Sequence, residues 1–89
     1  MDDLKKHREQ IDLIDRAIID LLAQRMSHVK SIGMIKKGQD IAPFDDNRWQ
    51  EVLHDRIEFG KQHGLSMRMI KDIWNSIHEH ALEIEKSHE

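Results

Sequence analysis

From Leu4 to Lys36 the chain repeats a stripe in alternating steps of three and four: Leu4, Arg8, Ile11, Asp15, Ile18, Leu22, Arg25, Val29, Ile32 and Lys36, with no proline to interrupt it. A stripe of that period is the signature of one amphipathic α-helix packing along its length. The expected helix runs from about Asp3 to Lys37, with Gly38 as its stop and Gly33 as its one weak point. At 1.5 Å per residue it is about 50 Å long, whereas a compact globule of 89 residues has a radius of gyration of about 12 Å and a diameter of about 30 Å. The helix therefore overhangs its own domain. Its apolar positions need cover, and the simplest source is a second copy of the chain related by two-fold symmetry.

The rest of the chain reads as two shorter helices. "GQDIAPFDD" is a loop bounded by Gly38 and punctuated by Pro43, with Asp45 and Asp46 placed to cap a second helix from about Asn47 to Gln62. Trp49, Val52, Leu53, Ile57 and Phe59 give that helix its apolar side. Gly64 stops it and Ser66 caps a third, on which Met67, Ile70, Trp74, Ile77, Ala81 and Ile84 repeat the three-four spacing beside Ile73. Trp49 and Trp74 are expected to pack these two helices together. The fold class is all-α, in a single domain over residues 1–89 whose core is thin: aromatics are 4% and charged residues 35% of the composition.

Four of the ten stripe members are charged, and an unpaired charge is costly to bury. Arg25 and Lys36 are eleven residues apart, which leaves them about 20° apart around the helix and about 16 Å apart along it. They share a face and leave a gap suited to a small molecule with more than one carboxylate, the group that an arginine fork matches. Arg8 lies seventeen residues before Arg25, about 25 Å away, so one small ligand touches both only if a symmetric antiparallel partner supplies Arg8. Arg48 sits four residues before Val52 and Glu85 four after Ala81, each on the flank of an inward stripe. A structural reading competes: long basic side chains often bury their stems and leave their heads in water, and Asp15 is available as a pairing partner. That reading weakens for several cations together, because like charges repel unless an anion joins them.

Other chemistries find less support. A net charge of -3 argues against general attraction to nucleic acid or an anionic membrane. Seven histidines invite a metal, yet "HEH" at His78–His80 turns its imidazoles about 200° apart on a helix and no HExxH pattern is present. There is no nucleotide-binding glycine loop and no G-x-S-x-G, so neither a cofactor nor a metal is expected. The absence of cysteine fits a reducing compartment, and a charged N-terminus with no long apolar run leads us to expect a cytoplasmic protein.

The sequence resembles the small all-helical chorismate mutases and their relatives, the isochorismate-pyruvate lyases. The likeness rests on "REQIDLIDRAIIDLLAQR" (Arg8 to Arg25), "VKSIGMIK" ending at Lys36, "PFDDNR" ending at Arg48, "HGL" at His63 to Leu65, and a last helix ending near Glu85. The resemblance implies an intertwined helical homodimer with two active sites, each borrowing an arginine from the other chain. Arg8 of the partner and Arg25 would bind the two carboxylates of the substrate, Lys36 the ether oxygen and a carboxylate, and Arg48 would position the ring. It implies a Claisen rearrangement of chorismate to prephenate, an isomerase step in aromatic amino-acid biosynthesis needing no nucleophile, base or metal. Glu85 falls where many members have a glutamine that hydrogen-bonds the ether oxygen; it can donate only when protonated, so burial should raise its pKa and activity should fall as pH rises.

Two positions depart from the family pattern. Trp49 stands where the mutases commonly hold the C4 hydroxyl with a glutamate, leaving Asp45 to compensate, and Ala81 replaces a serine often found near the ring carboxylate. These departures leave room for isochorismate as substrate with lyase chemistry, or for a 4-amino-4-deoxychorismate whose ammonium Asp45, Asp46 and Glu85 would face. A helical dimer that binds or regulates another protein is the non-enzymatic alternative.

Overall fold

The computed structural model describes residues 2–87, which form three helices and, among the described residues, no strand. Helix α1 spans Asp2–Gly38, α2 Asp46–Gln62 and α3 Met67–Lys86. The all-α expectation holds, and each helix end lies within one residue of its sequence signal. The turn after α1 differs in one respect. Gly38 is the last helical residue rather than the stop, and the left-handed residue that breaks the path is Asp40 (φ 55°), a residue type that tolerates that conformation. The amide of Ile41 donates to the carbonyl of Lys36 (2.8 Å), closing the turn.

Helix α2 is capped by Asp45, whose side chain accepts from the amide of Arg48 (3.1 Å). It ends at a tight turn around Gly64 (φ 75°), where the amide of Leu65 donates to the carbonyl of Gly60 (2.9 Å). Ser66 then caps α3 by accepting from the amide of Met69 (3.1 Å). Helices α2 and α3 therefore form an antiparallel hairpin.

Helix α3 is the spine: α1 packs on it, α2 packs on it, and α1 and α2 do not pack on each other. Val29, Val52, Ile70, Ile77 and Ala81 make up the buried apolar core. Two glycines permit the close approach of the helices. A Cβ at Gly33 would lie 3.0 Å from Cα of Glu85, and one at Gly60 would lie 2.6 Å from Cγ1 of Ile70. The apparent weak point inside α1 is thus its contact with α3.

Trp49 and Trp74 do not pair. Trp49 stacks on the His78 ring instead (centroids 4.0 Å apart, planes at 12°), with Phe44 tilted against the same imidazole at 5.7 Å. The hairpin register explains this: Trp49 lies fifteen residues before Gly64 and His78 fourteen after it, whereas Trp74 lies only ten after. Equal path lengths from the turn bring residues side by side.

The body is 57 Å long and 24 by 15 Å across, with a radius of gyration of 16.4 Å, well above the value of about 12 Å for a globule of this length. The excess is the N-terminal half of α1, where Leu4, Ile11, Ile14 and Ile18 all stand about half exposed. Phe59, Met67 and Ile73, assigned to apolar faces from their spacing, are exposed as well. An open apolar groove of about 1230 Å³ runs along the body, walled by Leu22 of α1, Phe59 of α2 and Ile73 and Trp74 of α3. Among the described residues no helix is long and apolar enough to cross a membrane.

The glycine contacts can be checked by substitution. Gly60→Ala should destabilise the fold by about 1 to 3 kcal/mol, because the buried Ile70 has nowhere to move. Gly38→Ala has no neighbour within 4 Å and should gain up to about 1 kcal/mol from helix propensity. Urea midpoints at one fixed protein concentration distinguish the two.

Candidate active site

The C-terminal half of α1 brings Arg25 and Lys36 against α3. Arg25 is half-buried, and its Nη1 is buried with no hydrogen-bond partner among the described residues. Burial, then repulsion from Arg56 and Arg48, lowers its pKa from the ordinary guanidinium value. Two helices thus place three arginines close enough to repel one another. Of the α2 arginines, Arg56 contacts the neighbouring carboxylate of Asp55 at 2.6 Å, and Arg48 lies 3.8 Å from exposed Glu51. Among the described residues Arg25 has no such partner. A half-buried cation surrounded by cations is arranged to receive an anion.

Lys36 is held differently. Its Nζ donates to the carbonyl of Pro43 at 2.6 Å and lies 2.8 Å from Oε1 of Glu85, a contact that is close as an ion pair but off the angle of a hydrogen bond. Glu85 is only 9% exposed, so this carboxylate is removed from water on three sides of its environment: α3 itself, Gly33 beneath it, and Lys36. The loop before α2 is fastened to α1 through the same ammonium. One carboxylate therefore balances one lysine.

Of the residues singled out in the sequence, Arg25, Lys36, Arg48 and Glu85 converge around the junction of the three helices, and Ala81 is buried one turn before Glu85. Arg8 does not join them within the chain; it is exposed on α1, about 25 Å up the axis from Arg25. Asp45 has one carboxylate oxygen engaged in the α2 cap. Two further residues belong to the cluster. Arg56 repels Arg25, and it follows Val52 by four residues just as Arg48 precedes it, so the same spacing pointed to both. His78 lies three residues before Ala81 on α3 and senses Arg25 and Glu85. Trp74, with its indole Nε1 buried and unpartnered, walls the groove beside Arg25.

Burial is the largest influence on His78 and holds its pKa below the ordinary imidazole value of 6.5; Glu85 pulls it back up, Arg25 pushes it further down, and Glu79 opposes that push. The ring is therefore neutral at pH 7.

The arrangement is an all-helical one in which cations from two helices gather at the end of a groove floored by a third. The chain belongs to the chorismate mutase type II family, whose profile matches residues 7–86. Among curated proteins it is 30% identical over 86 residues to the chorismate mutase of Methanocaldococcus jannaschii, covering 96% of this chain and 86% of that protein. It is also 30% identical over 66 residues to the T-protein of Enterobacter agglomerans and over 73 residues to that of Haemophilus influenzae. Those alignments take in 74% and 82% of this chain but only 18% and 19% of the T-proteins, so the chain spans under a fifth of their length.

Two measurements test the electrostatics. Lys36→Met should destabilise the fold by about 2 to 3 kcal/mol by stranding a buried carboxylate, while the double variant Lys36→Met with Glu85→Met should recover most of that loss; urea midpoints read both. In an NMR titration His78 should protonate below pH 6.5, with Trp49→Ala moving its pKa up through lost burial and Glu85→Gln moving it down. The unfolded ring takes its proton nearer 6.5 than the folded one. The contribution of His78 to stability is therefore complete above that pH and declines as pH falls through the folded value.

Proposed function

We propose that the chain is a chorismate mutase, converting chorismate to prephenate in a cationic pocket shared between two subunits. The observation that carries this reading is the half-buried guanidinium of Arg25, which among the described residues lacks an anionic partner and is repelled by Arg56 and Arg48, in a chain of this family. Chorismate is a dianion. Its rearrangement is concerted and intramolecular: the ether C–O bond breaks as a C–C bond forms between the enolpyruvyl arm and the ring, with no proton or electron leaving the molecule. The work left to the protein is to fold the arm over the ring and to stabilise the negative charge that grows on the ether oxygen.

In this reading Arg25 takes one carboxylate, Arg48 positions the ring, and Lys36 turns its ammonium toward the ether oxygen and a carboxylate. Ala81 lines the floor. Glu85 holds Lys36 in the free protein, and Glu85→Gln, which places a permanent donor at that position, tests its part at the ether oxygen through kcat/KM. Arg8 enters from the second copy. A two-fold related α1 has the half-exposed Leu4, Ile11, Ile14 and Ile18 to lay in the apolar groove, which delivers Arg8 near the partner's Arg25. The dimer, the absence of any cofactor and a cytoplasmic location are parts of the same proposal.

The stacking of Trp49 on His78 favours one second reading, since the indole presents no carboxylate for a C4 hydroxyl: lyase chemistry on isochorismate, giving salicylate and pyruvate. Incubation with each substrate separates the two by product, and prephenate from chorismate is the expected result. Arg25→Ala should leave a folded dimer with kcat/KM lowered by about 100-fold or more, whereas retained turnover would point to a regulatory module. Arg8→Ala should be similarly inactive. Mixing the two inactive variants should restore about one site in four, because random exchange makes half the dimers mixed and each of those has one intact site.

A further inference from the structure

The proposed substrate has two carboxylates, an ether oxygen and a ring hydroxyl. The cations account for the first two, and the hydroxyl needs a neutral or acceptor group that nothing else engages. Glu85 is occupied by Lys36, and Asp45 has an oxygen in the α2 cap. Glu51 is exposed beside Arg48, away from the buried floor. Among the residues of α3 that are not exposed, two neutral polar groups remain, the indole N–H of Trp74, which can only donate, and the imidazole of His78, which can donate and accept.

His78 is three residues before Ala81 and seven before Glu85, on the stripe of α3 that also buries Ile77 and Ala81. Its ring is fixed rather than free. Trp49 of α2 covers one face at 4.0 Å and nearly parallel, and Phe44 of the preceding loop leans on it at 5.7 Å. With its orientation set by the aromatic contacts, the edge of the imidazole that bears the nitrogens is what it can offer. Among the described residues neither nitrogen has a hydrogen-bond partner, in contrast to His63, whose Nδ1 lies 3.0 Å from the carbonyl of Phe59. A neutral imidazole has one donor and one acceptor nitrogen, which suits a hydroxyl in either sense.

We propose that His78, braced by Trp49 and Phe44, hydrogen-bonds the hydroxyl on the substrate's ring and so determines which ring the pocket accepts. This rests on the mutase reading. Trp49 is then a positioning residue, acting on the substrate through the imidazole it holds, and the lowered proton affinity of His78 keeps that imidazole neutral in the physiological range despite Glu85 and Glu79 on its own helix. Arg25, from α1, works in the same direction.

The test compares chorismate with an analogue lacking the ring hydroxyl, using wild type, His78→Phe, which retains an aromatic ring for the stack, and His78→Asn, which retains a donor and an acceptor. His78→Phe should lower kcat/KM on chorismate by about tenfold or more and on the analogue by less than about threefold, since only the former loses a hydrogen bond. His78→Asn should recover most of the activity on chorismate. A His78→Phe loss of equal size on both substrates, or no loss on either, overturns the assignment while leaving the mutase reading intact. A wild-type chain that does not turn over chorismate overturns both. Circular dichroism spectra and urea midpoints accompany each variant, and if His78→Phe proves unfolded the His78→Leu variant, which also lacks a donor and an acceptor, carries the same comparison.

Discussion

A straight helix of 37 residues cannot fold back on itself, and every other feature of this protein follows from where the remaining residues are able to cover it. The hairpin of α2 and α3 reaches only the C-terminal half of α1, through Val29 and Gly33, and leaves the N-terminal half with its isoleucines in water. Cover and site are thereby assigned to opposite halves of the same helix. The half that is packed holds Arg25 and Lys36; the half that is not holds Arg8 and the apolar residues with which another chain could fill the groove.

Within the packed half the two cations differ in what they have available. Lys36 is satisfied by Glu85 and the Pro43 carbonyl, while Arg25 has arginines for neighbours and a buried nitrogen with nothing to bond. A guest with two carboxylates would relieve the repulsion among the arginines, and its arrival would compete with Glu85 for Lys36. Such a site gains more from the bound state than from the empty one, which is the requirement for a pocket that works through charge complementarity alone. The proposed function draws on the family membership and on this imbalance of charge together.

The helices were legible in the sequence because their signals are local: a three-four period, a capping aspartate, a glycine at a turn. Arg25, Lys36, Arg48 and Glu85 stand out the same way, as polar residues on or beside apolar stripes. What lay beyond reach was contact between residues distant in the chain. The Lys36–Glu85 pair joins positions 49 residues apart, and no local pattern announces it. In the sequence His78 stands out only through its spacing from His80, and its aromatic setting comes from helix register. That register was in principle available, since counting outward from Gly64 pairs Trp49 with His78 and excludes Trp74. Arg56 was accessible too, by the reasoning already applied to Arg48. The exposure of Phe59, Met67 and Ile73 has another cause: apolar spacing identifies a face that is built to be covered without telling whether the same chain covers it.

The division of labour among the helices bears on how the polypeptide acquires its shape during synthesis. Because α1 and α2 share no packing surface, the first two helices have only the Lys36–Pro43 hydrogen bond between α1 and the loop before α2 to hold them together when they leave the ribosome. Tertiary structure waits for α3, the last of the three to be made, and arrives in one step when Ile70, Ile77 and Ala81 become available to both neighbours at once. A nascent chain halted before that helix would be two amphipathic rods with their greasy faces open, a natural client for chaperones.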